Sequence, residues 1–297
     1  MPDIRLIPRL LSRPILRFAA FAANAAFAVS AVAQTTAPAG DMTIEEVPFV
    51  TSPDNVTLAM LEMAKVGAND VLLDLGSGDG RIVIVAARRF GAEGLGVELD
   101  PSLVSKSRDN ARLAGVESKA RFAQQDLFAT DLSKATVVTL YLLPSVNMAL
   151  RPRLLALAPG TRVVSHDWDM GEWLPDRTVT LPVPDKKVGR EKSSKVHLWT
   201  VPAQVEGRWC ARAAVGSNAK PAQLLITQKF QQVVGELDSG TGKTAIGGSV
   251  NGNAISVKPA GNAAAIELQK DGERLRVVSG ELPTSVAFDR AVDGRCG

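Results

Sequence analysis

Between Asp74 and Gly80 the chain reads Asp74-Leu75-Gly76-Ser77-Gly78-Asp79-Gly80, three glycines in five positions. An apolar run from Val71 precedes it and an amphipathic run from Arg81 follows. Glycines at this density let a backbone turn sharply and come close to a ligand without side chains in the way. Glu98 ends a second apolar run, where an acidic side chain is placed to take ribose hydroxyls. Asp126, followed by Leu127, ends a third and could take an adenine amino group. A dinucleotide loop needs the pattern G-x-G-x-x-G. Here Arg81 stands three residues after Gly78, so that register fails and D-x-G-x-G-x-G remains. The chemistry expected of these residues is the grip of a nucleoside.

The surrounding elements must place the loop at the carboxyl end of a strand. Val71–Leu75, Leu95–Leu99, Ala120–Gln124, Val137–Leu142 and Thr161–Ser165 read as short buried strands. Helical patterns intervene. Ser52-Pro53 opens one with Val56, Met60, Met63 and Ala64 on a single face, and Arg81–Arg89 and Ser102–Ala114 form others. Another follows strand four, with Ser145 as its expected cap. Strands alternating with helices imply a parallel sheet covered on both faces, with ligands beyond the carboxyl ends of its strands. The stretch Val179–Pro202 reads as an antiparallel hairpin whose tip carries Lys186, Lys187, Arg190, Lys192 and Lys195. That tip is expected to be solvated, with contact to acidic lipid or a protein partner as the lesser reading.

From about Gln204 helical periodicity stops. Short β-rich pieces such as LLITQKF, VVGEL, AISV, AIELQ, RLRVV and SVAF alternate with turn signals, Asn251-Gly252 and Asp271-Gly272 among them. These predict a small antiparallel barrel or sandwich with an accessory role. Cys210 and Cys296, the two cysteines of the chain, bracket this region and are expected to form one disulfide. At the other end, Arg5, Arg9, Arg13 and Arg17 precede the apolar run FAAFAANAAFAVSAVA, which closes on Ala31-Val32-Ala33. This is the pattern of an export signal; left uncleaved, it would be an anchor. The expected organisation is a signal at residues 1–33, a linker at 34–46, an α/β domain at 47–202 and a β domain at 203–297. The formal net charge is +3 in 297 residues, and no polybasic block argues for nucleic acid.

The combination of D-x-G-x-G-x-G, Glu98 and Asp126 resembles the class I S-adenosylmethionine-dependent methyltransferases over nearly all of Val47–Val201. That resemblance implies a Rossmann-like sheet with helices on both faces. It also implies S-adenosylmethionine as the cofactor, held by Asp74, Gly76, Ser77, Gly78, Asp79, Gly80, Glu98, Asp126 and Leu127. The segments VPFVTSPDNV, DLGSGDGRIVI, LYLLPS and LAPGTRVVSHDWDMGEWLPD narrow the likeness. Together they are similar to the mitochondrial lysine methyltransferases of the ATP synthase c subunit and the adenine nucleotide translocase, and to bacterial relatives. The resemblance implies a protein lysine as acceptor. The slot for that amine is expected at Tyr141, Pro144 and Ser145, with Tyr141 orienting the amine and Trp168 and Trp173 excluding water. His166, Asp167, Asp169 and Glu172 cluster nearby and are read as a polar pocket rim, not a metal site; His197 is read as structural. A competing reading is an exported binding module that keeps the fold without turnover.

Overall fold

The computed structural model describes residues 50–187, 190–214 and 221–296. The expected signal and linker lie outside these residues.

Helix α1, Asp54–Met63, buries Val56, Met60 and Met63. Pro53, not Ser52, occupies its N-cap position, and no side chain caps it. Strand β1, Val71–Leu75, is the third strand of a seven-stranded sheet. It pairs in parallel with β2, Glu93–Glu98, on one side and with β4, Val137–Leu140, on the other. β3, Ala120–Gln124, extends the first side, and β5, Arg162–His166, the second. β6, Arg177–Pro182, and β7, Ser193–Thr200, form the expected hairpin. β7 enters the sheet antiparallel beside β5 and leaves β6 at the edge, so the strand order is β3-β2-β1-β4-β5-β7-β6. Strand order reverses between β1 and β4, the point at which open α/β sheets form a ligand crevice.

Side-chain alternation along β1 divides two cores. Leu72 packs with Val56, Met60, Val83 and Phe122. Leu73 and Leu75 pack on the other face with Val138, Leu140, Leu150, Trp173 and Trp199.

Three helices follow, each with a departure from expectation. α2 covers only Arg81–Val85 and continues as a π-helical turn, Ala86–Phe90. α3, Pro101–Leu113, is capped by Asp100, whose carboxylate accepts the Ser102 amide at 2.7 Å. α4, Pro144–Leu155, starts with Pro144 in its first turn and Leu143 at the cap position. Ser145 therefore lies inside the helix and does not cap it. A proline needs no amide partner there, so it sets the start in place of the serine. β4 consequently ends at Leu140, and Tyr141 and Leu142 belong to the connection.

Strands β8–β15 close an eight-stranded antiparallel barrel. In chain order they are Gly207–Ala214, Pro221–Lys229, Gln232–Asp238, Lys243–Asn251, Ala254–Pro259, Ile266–Asp271, Arg274–Gly280 and Ala287–Arg290. Trp209, Leu224, Ile226, Val250, Ile255, Leu268, Leu275 and Phe288 fill its interior. The apolar pieces of the sequence do not include β11, Lys243–Asn251, because glycines interrupt its pattern. A Cβ on Gly248 would stand 1.9 Å from the Ser256 carbonyl oxygen, so that glycine permits close strand approach. Both signalled hairpins form, shifted by one residue. Asn251 pairs with Ala254 and Asp271 with Arg274, so Gly252 and Gly272 are the first loop residues. Cys210 and Cys296 form the expected disulfide, with Cα atoms 5.5 Å apart.

The barrel and the sheet meet within one compact unit. The Ala203 amide donates to the Gly252 carbonyl at 2.8 Å, and Gln231 Nε2 donates to the Leu174 carbonyl at 2.6 Å.

Candidate active site

β1 ends in the glycine loop. The amides of Gly76 and Ser77 both donate to the Val97 carbonyl, at 2.9 and 3.0 Å, which holds the loop against β2. Gly76, Gly78 and Gly80 all have positive φ. At Gly80, φ is +82° and a Cβ would lie 2.6 Å from the Phe122 ring, so both conformation and space require glycine.

Glu98 closes onto this loop. Its Oε2 accepts the Gly78 amide at 3.0 Å, and its Oε1 accepts the amides of Leu99 and Asp100 at 2.8 and 3.2 Å. A carboxylate offers about four acceptor positions, so ribose hydroxyls remain within its capacity. Asp126 is exposed, and its Oδ1 accepts the Phe128 amide at 2.8 Å. Leu127 next to it accepts Arg153 Nη1 on its carbonyl at 3.1 Å.

The two loop aspartates do different work. Asp79 forms a two-point pair with Arg81, Nε to Oδ1 at 3.0 Å and Nη2 to Oδ2 at 2.7 Å. Hydrogen bonds from that guanidinium hold the Asp79 carboxyl below its usual range against the opposing effect of burial. Arg81 Nη1 also donates to the Ser52 carbonyl at 2.9 Å. Asp79 thus fastens the loop to the segment before α1. Asp74 is fully buried beneath the loop and accepts Thr139 Oγ1 at 2.7 Å. Desolvation pushes its carboxyl up to about 7; the Thr139 hydrogen bond opposes the rise, and the negative charges of Glu98 and Asp79 add to it.

The residues expected to form the acceptor slot gather at the ends of β4 and β5. Tyr141 is half-buried and stacks on His166, with ring centroids 3.9 Å apart and planes 24° apart. Burial raises the Tyr141 phenol above its usual pKa, and the charge of Asp167 adds to that. Pro144 and Ser145 are exposed in the first turn of α4, just beyond Tyr141.

His166 is a fixed platform. Its Nδ1 meets Ser52 Oγ at 2.8 Å and its Nε2 meets Ser194 Oγ at 2.9 Å. Burial drives its pKa down to about 4, against the nearby negative charge of Asp167, so the ring is neutral at pH 7. With both nitrogens engaged by hydroxyls, His166 is a support, which refines the expected pocket rim. Of the other members, Asp167 stays beside the ring, its Oδ2 3.4 Å from Nε2, and two turn away. Asp169 caps the Gly171 amide, and Glu172 pairs with Lys229. His197 bonds Thr178 Oγ1 through Nδ1 at 2.9 Å, a structural role as expected. Trp168 is 41% exposed, but Trp173 is fully buried against Trp199 and Phe230. Trp173 is therefore a core residue and does not line the acceptor space.

Several residues at this site escape the sequence reading. Ser52 and Ser194 grip His166 from distant segments. Asn147, buried in α4, donates to Ser165 Oγ at 3.2 Å and to the Trp168 carbonyl at 3.3 Å, which ties the loop after β5 to the helix. A polar residue on the buried side of α4 is the one available signal. Lys186 belongs by its neighbours to a solvated tip, yet it pairs with Asp167 at 2.8 Å with its side chain 14% exposed.

Comparison with known proteins bears on this geometry. Residues 74–177 match the family model described as the ANTKMT methyltransferase domain. A protein-lysine N-methyltransferase of Saccharolobus islandicus is 41% identical over 138 residues, 46% of this chain and 86% of that protein. This chain belongs to that methyltransferase family. A mouse lysine N-methyltransferase of the ATP synthase c-subunit is 40% identical over 36% of this chain, which spans 43% of the mouse protein's length. A crystal structure of an RNA methyltransferase from Salinibacter ruber with S-adenosyl-L-homocysteine is 55% identical, with a TM-score of 0.48. It covers 52% of this chain and 96% of its own.

The enzyme is a methyltransferase that uses S-adenosylmethionine. Its own residues suit that cofactor: Ser77 Oγ is buried in the glycine loop, against Gly96, without a hydrogen-bond partner, and the next amide, of Gly78, is held by the Glu98 carboxylate. An orphaned buried hydroxyl is costly unless a ligand satisfies it.

Proposed function

We propose that this methyltransferase modifies a lysine ε-amine on a partner protein. The observation that carries the reading is the 41% identity to a protein-lysine N-methyltransferase across 86% of that protein. When bound, S-adenosylmethionine supplies a methyl group already activated on a sulfonium. The chain's residues have to hold the donor, present the amine and exclude water. Glu98 would bind the ribose hydroxyls and Asp126 the adenine amino group, with the glycine loop beneath. Tyr141, braced on the neutral His166 ring, would hydrogen-bond the amine, beside Pro144 and Ser145. Trp168 would screen the mouth. A lysine amine has a pKa of about 10.4 in water, so it must lose a proton before it attacks. A half-desolvated slot favours that neutral form.

We also propose that the enzyme acts after export to the periplasm. The Arg-rich start and Ala31-Val32-Ala33 support this, and so does a disulfide, which persists in oxidising compartments.

A radiolabelled-donor assay on envelope proteins, followed by site mapping, tests both proposals. Label on lysine is the expected result. Label only on nucleic acid, carboxylates or small molecules overturns the acceptor assignment. Recovery of the protein only in the cytosol, with its N-terminus intact, overturns export.

A further inference from the structure

The loop leaving β5 carries a carboxylate that the proposed reaction leaves without a role. Asp167 has φ +64°, a conformation uncommon outside glycine. Its backbone is pinned to β7, since its amide donates to the Lys195 carbonyl at 2.7 Å. Its Oδ1 accepts the Lys195 amide at 3.0 Å. Its Oδ2 lies 2.8 Å from Lys186 Nζ and 3.4 Å from His166 Nε2, on the ring against which Tyr141 stacks. Lys186 Nζ also donates to the Ser193 carbonyl at 2.7 Å. Both side chains of the pair are 14% exposed.

A lysine ammonium is therefore bound at the end of β5, next to the platform under Tyr141. Desolvating such a pair is costly, and a surface hairpin needs no buried cation to close. The same acceptors have the right chemistry for a lysine ammonium arriving from another chain. We propose that Asp167 is the ammonium-binding residue at the acceptor entrance, and that Lys186 is its intramolecular occupant, displaced by the incoming lysine. The inference rests on the lysine reading above and deepens it. Neutral His166 fits the role, because an imidazolium 3.4 Å from Asp167 would compete for the same carboxylate. Asp167 is a positioning group here. It receives the charged amine and takes no part in proton loss or methyl transfer.

Binding of n-butylammonium, a lysine side-chain mimic, tests this in the full chain without turnover. A cis occupant that fills the site nine-tenths of the time weakens apparent affinity about tenfold. Lys186→Met should thus bind n-butylammonium about tenfold more tightly than the native chain, as followed by NMR titration. Adding Asp167→Asn to that variant should erase the gain. Lys186→Arg, which keeps a cation on Asp167, should stay weak. Lys186→Gln serves as the second neutral variant if the methionine form does not fold, with donor affinity reporting an intact domain. Unchanged or weaker n-butylammonium binding in the folded neutral variants overturns the proposal. Label on protein lysine together with that negative result would leave the lysine reading standing and remove only this inference. Tighter n-butylammonium binding with no lysine label would keep the ammonium site and remove the lysine reading.

Discussion

At the carboxyl ends of β1, β4 and β5 the methyltransferase sheet buries Asp74, Ser77, Asn147 and His166. In the barrel, among the described residues, Gln231 is the buried polar side chain, and the interior is aliphatic with Trp209 and Phe288. The sheet's buried polar groups carry perturbed pKa values at Asp74 and His166 and orphaned atoms at Ser77 and Asn147. The barrel is held by apolar packing, hairpins and a covalent link. Buried ionisable and unsatisfied polar groups are costly, and among the described residues they lie in the sheet domain and not in the barrel, with Thr57 Oγ1 and Trp173 Nε1 as further unpartnered atoms away from the glycine loop. The contrast separates a site from a scaffold more firmly than either region does alone.

The largest expected effect falls on the scaffold. The disulfide spans 86 residues, and loop-closure entropy assigns such a link about 4–5 kcal/mol. Cys210→Ser should lower barrel stability by that order in urea unfolding while donor affinity, read by calorimetry on the folded protein, stays unchanged. Parallel loss of donor binding would break the division between the two regions.

The next effect belongs to Asp74. Its folded pKa, about 7, stands above the ordinary value of 3.8, so the folded state keeps a proton that the unfolded chain releases. Stability contributed by this group is therefore present below about pH 4 and declines as pH rises toward 7, by about 4 kcal/mol at most. His166 has the opposite slope. Its folded pKa is depressed to about 4, so its contribution is present above pH 6.5 and lost as pH falls through 4. Asp74→Asn should remove the first slope only. Urea unfolding of both proteins at about pH 5 and pH 8 isolates it as a difference, and an identical pH dependence would remove Asp74 from the groups with a perturbed pKa.

Glu98→Ala comes third. A charge-assisted hydrogen bond is worth about 1.5–3 kcal/mol, so donor affinity should fall roughly ten- to a hundred-fold. The barrel's thermal transition should not move. Unchanged affinity in a folded variant would remove Glu98 from the donor site.

The smallest effect is that of Tyr141→Phe. Loss of one neutral hydrogen bond to the acceptor should lower turnover by up to about tenfold and leave donor affinity alone. A matching fall in donor affinity would move Tyr141 from the acceptor side to the donor side.

Much of the sheet is legible in the sequence because its signals are local. Val71–Leu75 and Ala120–Gln124 coincide with β1 and β3, since a short apolar run between turn residues is complete within itself. The glycine register and Glu98 likewise mark the loop after β1 and the strand end that closes onto it, because backbone conformation and strand ends depend on near neighbours. The disulfide is legible because the chain has only two cysteines to pair.

Only the tertiary structure decided which residues surround Tyr141 and His166. Ser52 and His166 are 114 residues apart, and nothing in either segment announces the other. Ser52 fits a helix cap by its position, yet its hydroxyl goes to His166. Lys186 fits a solvated hairpin by its neighbours, yet β7 inserts beside β5 and brings it onto Asp167. The sequence by itself determined most of the elements, the glycine loop and the change from α/β to all-β. Folding determined which long-range partner each polar side chain would take. The physical reason is range: periodicity and turn chemistry act over a few residues, whereas a buried hydrogen bond depends on whichever strand the sheet order sets beside it.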